Sequence, residues 1–248
     1  MSTPISRRQA LAGVGSVSLG ALLAACGSDE PEASTATAEV QTSTGATTTV
    51  EPRGGGDLAS LFDDDSACTL TPEETEGPFY FDADAIRSDI REDRQGTTLR
   101  LALRVRDAES CEPLRNAVVD IWHCDAEGAY SGFDPASTGD QQRYLRGAQV
   151  TDRDGIVEFV TVYPGWYPGR TVHVHAKVHL DAATVLTTQL YFDDAVTARV
   201  YEAEPYASRS GRDTFNDGDS IFDPSLAIAL SEQRDGYLGI ASFDVAST

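Results

Sequence analysis

His173 and His175 are separated by one residue in the run Thr171-Val-His-Val-His-Ala-Lys-Val178. The run alternates, as a half-buried β-strand does, so both imidazoles project from one face. Upstream, Pro164, Gly165, Pro168 and Gly169 break the chain into a tight loop carrying Tyr167 and Arg170. The stretch from Tyr163 to His179 holds three of the four histidines. Two imidazoles beside a loop tyrosine and an arginine could form half of a metal site. Imidazole suits Zn, Cu or Fe. No His-Glu-x-x-His motif and no suitably spaced carboxylate completes a zinc triad. A second tyrosine, Tyr130, ends Trp122-His-Cys-Asp-Ala-Glu-Gly-Ala-Tyr130. Tyrosinate is a hard anionic oxygen donor, so two tyrosinates with two neutral imidazoles favour Fe(III) over Zn(II) or Cu(I).

Each residue also has a blander reading. A His-x-His pair on a strand usually holds no metal. Tyr130 alone is most often a surface loop residue, Tyr167 aromatic packing and Arg170 a surface charge. His123, beside Trp122 on a strand, reads as structural. His179 shares the face of His175 but lies four strand residues away, roughly 13 Å, too far to join the same ion. Tyr144 and Arg146 in the long loop are divided evenly between pocket and structural roles.

The elements that must position these groups are short strands. Thr98–Arg106 alternates through Leu99, Leu101, Leu103 and Val105. Ala117–Cys124, a hairpin of Gln149–Thr151 with Ile156–Val162 around Asp152-Arg-Asp-Gly155, the histidine strand and Thr184–Phe192 follow. A short helix is expected at Pro224–Gln233, and Phe243–Val245 as an edge strand. Short strands with turn signals and almost no helical pattern predict an all-β fold, an antiparallel β-sandwich with long functional loops. The longest loop, Gly128–Gly147, carries Tyr130.

The N-terminus is a targeting segment. Arg7-Arg8 precedes an apolar stretch that ends Leu23-Ala24-Ala25-Cys26. The twin arginine resembles a Tat export signal, and the last four residues a lipobox with Cys26 as the lipidated residue. Residues 1–26 are therefore expected to be a Tat-type lipoprotein signal peptide, and the protein to be extracytoplasmic, lipid-anchored to the cell membrane through Cys26. Residues 27–60, rich in Ser, Thr and Gly, are expected to be a disordered linker, with the folded domain at 61–248. An exported chain permits a disulfide. Cys111 and Cys124 lie at opposite ends of a strand, so Cys68 is expected to pair with one of them. The net charge of −21, with 40 acidic against 19 basic residues, argues against a nucleic-acid partner.

Read together, Val119-Asp-Ile, Gly128-Ala-Tyr130, Thr161-Val-Tyr-Pro-Gly, Tyr167-Pro, Arg170-x-x-His-x-His175 and Thr188-Gln189-Leu-Tyr-Phe192 resemble the intradiol ring-cleavage dioxygenases, the catechol and protocatechuate dioxygenase family. The resemblance covers roughly residues 68–195. It implies a non-haem Fe(III) held by Tyr130 (equatorial), Tyr167 (axial, displaced by substrate), His173 and His175. It implies that Arg170 stabilises the anionic, ketonised substrate and that Gln189 lines the site. Gly77-Pro-Phe-Tyr80 resembles a pocket-wall segment, making Tyr80 a substrate contact. The implied partners are a catechol-type aromatic molecule and O2, the product a muconate. This sequence departs from the family in the six-residue step from Tyr167 to His173, where relatives carry a longer insert, and in Arg170-Thr-Val-His173 for the usual Arg-Pro-Ala-His. It also lacks the N-terminal helical dimerisation region of catechol dioxygenases. The rival reading is a non-catalytic transthyretin-like or carbohydrate-binding surface lipoprotein; a copper or zinc protein using the histidines alone is a second.

Overall fold

The computed structural model describes residues 38–41, 47–50, 58–62, 68–133, 142–181 and 183–247. The expected export segment with Cys26 lies outside them, as does most of the expected linker. Within that linker, Ala38–Gln41 (β1) pairs antiparallel with Thr47–Val50 (β2). Leu58 and Phe62 pack on Ala102, Ile156 and Leu238, so close packing starts slightly before the expected boundary at Leu61. Among the described residues no helix is long and apolar enough to cross a membrane.

Two four-stranded sheets form the sandwich. The strands are Thr98–Asp107 (β3), Val118–Trp122 (β4), Arg146–Val150 (β5), Ile156–Val162 (β6), His173–Leu180 (β7), Ala183–Tyr191 (β8), Ala229–Gln233 (β9) and Gly236–Val245 (β10). One sheet runs β6-β3-β10-β9, the other β5-β4-β7-β8. Leu99, Leu101, Leu103 and Val105 of β3 are fully buried and meet Val119, Ile121, Val174, Ala176 and Val178 across the core. Burying each such side chain contributes about 1.5–3 kcal/mol. The alternating pattern that predicted these strands is thus the division between core face and outer face.

Four expectations need correction. The sandwich is not purely antiparallel, because β10 lies parallel to β3 over its whole length. Phe243–Val245 is the end of that ten-residue strand, in the sheet interior between β3 and β9 rather than at an edge. The helix expected at Pro224–Gln233 is a single 3-10 turn, Pro224–Leu226, followed by β9. Residues Ala229–Gln233 are held extended by a hairpin to β10 around Arg234-Asp235; pairing overrides local preference in so short a segment. Finally, β5 starts at Arg146, inside the expected loop. A helix missed in sequence, Asp194–Val200 (α1), is capped by the Asp193 carboxylate, which accepts the Ala195 and Val196 N–H groups at 2.8 and 3.0 Å.

Cys68 is bonded to Cys111, and Cys124 is free and buried. The bond fixes the start of an arm, residues 68–82, that crosses the outer face of β7 and β8. Glu74 N–H donates to Thr187 O, the Thr188 hydroxyl donates to Pro72 O, and Lys177 pairs with Glu76.

Candidate metal centre

The site is built on the outer face of the second sheet, not between the sheets. Alternation along β7 sends Val174, Ala176 and Val178 into the core and His173, His175 and Lys177 to the other side. Strand pairing then sets their neighbours. Trp122 and Gln189 flank His175, and Tyr191 lies opposite His173. The arm and two loops cover this face, so both imidazoles are buried, at 2% and 1% exposure.

The two loops bring the tyrosines in. Asp125 closes the turn before Tyr130: its carboxylate accepts the Glu127 and Ala129 N–H groups, and its carbonyl accepts that of Gly128. The Tyr163–Arg170 loop docks on this turn through the Gly165 N–H, which donates to Asp125 O at 3.0 Å. A Cβ on Gly165 would meet Ala126 O at 2.4 Å, and one on Gly128 (φ +80°) would meet Trp166 O at 2.1 Å. Glycine on both sides of the contact is what lets the two backbones touch. Arg209, from beyond α1, holds the loop by donating to Trp166 O and lying over the Trp166 ring at 4.1 Å.

Four donor atoms converge. His173 Nε2 lies 3.1 Å from His175 Nε2, 3.1 Å from the Tyr167 hydroxyl and 3.4 Å from the Tyr130 hydroxyl. His173 Nδ1 is 2.6 Å from Thr171 O, a carbonyl that accepts only, so the His173 proton sits on Nδ1 and Nε2 presents a lone pair. Burial, with the Arg170 charge adding to it, lowers the His173 pKa to about 3. Burial, followed by His173 and Arg170, takes His175 well below its ordinary value. Both imidazoles are neutral at physiological pH. Burial raises both phenols above the usual tyrosine value, so a nearby positive charge is needed to hold either as tyrosinate.

This arrangement fits a cation. The one lone pair on His173 Nε2 is approached at once by the Tyr130 and Tyr167 hydroxyls and by His175 Nε2, more than it can accept. A cation at the common point would accept a lone pair from all four groups. Donors about 3 Å apart are what one ion with bonds of about 2.0–2.1 Å to nitrogen gathers. Among the described residues no three His, Cys, Asp or Glu side chains come together in metal-binding fashion. The other half of the site is phenolic, which excludes a two-histidine, one-carboxylate centre here.

Arg170 stands beside the cluster. Its Nη2 donates to Gln189 Oε1 at 2.6 Å, its Nε to Asp219 Oδ2 at 2.8 Å. Gln189 is fixed from its other end, Nε2 donating to Thr75 O at 3.1 Å. Burial works to raise the Asp219 carboxyl, but N–H donors from Ile221 and Thr171 and the Arg170 guanidinium hold it below the usual range. Tyr191 completes the group by donating to Glu74.

The structure places the remaining named residues as follows. Tyr80 does not face the tyrosines: its ring packs on Trp122 (centroids 4.7 Å) under Lys177, and its hydroxyl bonds Asp120. Trp122 in turn stacks on His175 at 4.8 Å, so Tyr80 is one ring removed from the site. The preceding residue, Phe79, stacks on Tyr130 at 4.4 Å and lies edge-on to Tyr167. Sequence reasoning missed Phe79 and Asp219. The Gly-Pro-Phe-Tyr segment contained the first but not its facing, and Asp219 sits in a polar tail without motif. His123 is buried between Cys124 O and the Thr161 hydroxyl. Arg146 is buried, donating to Ser131 and Phe79 O. Tyr144 is buried under Arg94.

Residues 75–203 match the Dioxygenase_C model of a dioxygenase family. Catechol 1,2-dioxygenase of Acinetobacter baylyi is 33% identical over 165 residues, 57% of this chain and 51% of the relative. The chain spans about half the length of the curated relatives it matches. Among solved structures, the intradiol ring-cleavage dioxygenase from Tetranychus urticae superposes with a TM-score of 0.69 at 35% identity, covering 73% of this chain and 97% of that one. The dioxygenase domain of a carbohydrate-binding fusion from Streptomyces sp. SirexAA-E gives 0.56 at 32% identity, covering 72% and 100%. The chain belongs to the intradiol ring-cleavage dioxygenase family.

Proposed function

We propose that the protein is a non-haem Fe(III) dioxygenase that cleaves a catechol-type ring between its two hydroxyl-bearing carbons. One C–C bond breaks, both atoms of O2 enter the product, and a muconate-type dicarboxylate results. The observation that carries this is the convergence of Tyr130, Tyr167, His173 and His175 on one point beside Arg170. A non-catalytic module has no use for two phenols, one buried and one half-buried, arranged that way.

Tyr130, Tyr167, His173 and His175 would hold a ferric ion, which would supply Lewis acidity and a template for a chelating catecholate. The chain's own residues do the rest. His173 and His175 give neutral nitrogen donors, kept neutral by burial. Tyr130, stacked on Phe79, is the fixed phenolic donor. Tyr167 is the half-buried one on the loop, and as tyrosinate it can leave the cluster and take a hydroxyl proton from the substrate as a general base. Arg170 supplies a fixed positive charge where oxyanion charge develops, in a site from which water is largely excluded. Gln189, held by Thr75, keeps that guanidinium aimed.

The same reading takes the protein to be exported by Tat and anchored by lipid on Cys26. The twin arginine, the lipobox and the Cys68–Cys111 disulfide support this, since disulfides persist in oxidising compartments. Cys26→Ala should release the protein from the membrane fraction; unchanged partition would count against the anchor.

The test of the reaction is direct. Protein purified with iron should show a tyrosinate-to-Fe(III) charge-transfer band with stoichiometric metal, and consume O2 one-to-one with a catechol. A colourless, iron-free preparation after folding with iron would overturn the proposal. Tyr167→Phe should weaken the band and lower kcat by about 10²-fold; wild-type colour and rate would remove Tyr167 from its assigned role.

A further inference from the structure

Beyond the match to the family model, which ends at residue 203, the chain returns to the site. Asn216–Gly218 forms a 3-10 turn, and the residue after it, Asp219, is buried. The side chain of Asp219 is 1% exposed against 15% for Arg170. Its Oδ2 accepts two hydrogen bonds, from Arg170 Nε at 2.8 Å and from the Thr171 N–H at 2.9 Å. Its Oδ1 accepts the Ile221 N–H at 2.9 Å. Around it, Asn216 bonds the Thr171 hydroxyl at 2.6 Å and, through Nδ2, Phe192 O at 2.8 Å. The Thr171 carbonyl is the acceptor that orients His173.

We infer that Asp219 is the positioning residue for Arg170. This rests on the proposed dioxygenase reading and deepens it. Arg170 has a flexible stem with several rotamers. Gln189 at 2.6 Å and the Tyr191 hydroxyl at 3.5 Å hold only one end of its guanidinium, Nη2, leaving the Nε edge without a fixed point. A carboxylate on Nε fixes the second point, and two points fix a planar fork. The same carboxylate pins the Thr171 backbone, so the arginine and the first histidine are held in one frame.

The experiment is a double-mutant cycle of Asp219→Asn and Arg170→Ala in the iron-loaded protein, with the exposed Asp217→Asn as a control. Asp219→Asn is expected to keep iron content and the charge-transfer band and to lower kcat/KM about 10²-fold, the scale of a misplaced catalytic group. The double variant is expected to be no worse than Arg170→Ala alone, because Asp219 acts through Arg170. A readout that needs no turnover accompanies it, made on iron-free protein to avoid paramagnetic broadening: the Arg170 Nε–H resonance is expected to be protected from solvent exchange in the wild type and to lose that protection in Asp219→Asn. Additive losses, a wild-type rate in Asp219→Asn, or a retained Nε–H resonance each overturn the inference. Should Asp219→Asn fail to fold, Asp219→Glu decides through the same resonance: lost Nε–H protection with lowered kcat/KM supports positioning, and lost protection with a wild-type rate refutes it. Wild type that takes up no O2 with any catechol would sink the dioxygenase reading instead, and the resonance test would still judge the Asp219–Arg170 contact.

Discussion

Replacing Cys68 and Cys111 by serine removes the one covalent tie between the arm and the body of the sandwich. The bridge closes a loop with a sequence separation of 43. In the chain-entropy treatment, a loop of that length restricts the unfolded state by roughly 4 kcal/mol at 25 °C. For a domain of this size each kcal/mol moves the midpoint by about 2–4 °C, so the double variant should melt about 8–16 °C lower. The native arm has other attachments: the Glu74 N–H to Thr187 O bond, the Thr188 hydroxyl to Pro72 O bond, the Glu76–Lys177 pair, and the Thr71 N–H to Asp244 O bond. The variant should therefore still fold at 25 °C, with the loss appearing as a lower urea midpoint and a steeper slope, since the freed unfolded chain exposes more surface. Wild type unfolded with reductant should show the same loss. Equal midpoints for variant and wild type, or a reductant effect below about 1 kcal/mol, would refute the reasoning that this tether restricts the unfolded chain.

Three further outcomes are expected. Gly77→Ala places a methyl 3.3 Å from His175 Cε1 at a φ of +69°; the arm must shift, and iron affinity should fall while the fold survives by circular dichroism, with unchanged affinity refuting the contact. Asp244→Ala strips the buried Arg106 of a carboxylate held at 2.8 Å, so urea unfolding should show a loss of about 3–5 kcal/mol, and under 1 kcal/mol would mean the pair is relaxed in solution. The Asp120 carboxyl is raised to about 7, first by desolvation and against the Tyr80 hydrogen bond. A folded pKa above the unfolded value gives stability that is complete below about 4 and lost as pH rises toward 7. Asp120→Asn should flatten the stability curve between those pH values, and a parallel curve would contradict the raised pKa.

How much of this was legible beforehand divides along a physical line. The alternation in β3 and β7 states which side chains share a face, because that depends only on strand pleat. So Leu99 to Val105 as core and His173 with His175 as one face were readable from residue order alone. Tyrosine, histidine and arginine carry their donor chemistry wherever they fall, so the choice of a hard-donor metal centre was also in the sequence. The facing of Tyr80 against Phe79 was not, since the arm is irregular and neighbouring residues there are turned by Gly77 and by what they land on. The helix expected before Gln233 failed for a similar reason: five residues take the conformation that pairing with β10 imposes.

The sequence by itself determined a β-sandwich, the donor types, and the histidine pair with its arginine. The tertiary structure alone decided that the cluster sits outside the sheets, under an arm tied by Cys68 and Cys111. It alone decided that Tyr130 reaches His173 across 43 residues, through two loops whose backbones meet at Gly128 and Gly165. It also decided that Asp219, from a tail without motif, closes on Arg170. Local order specifies what each residue offers and which way a strand presents it. Which distant segments meet is set by the packing of the whole chain, where one hydrogen bond at 2.8 Å links positions 49 residues apart.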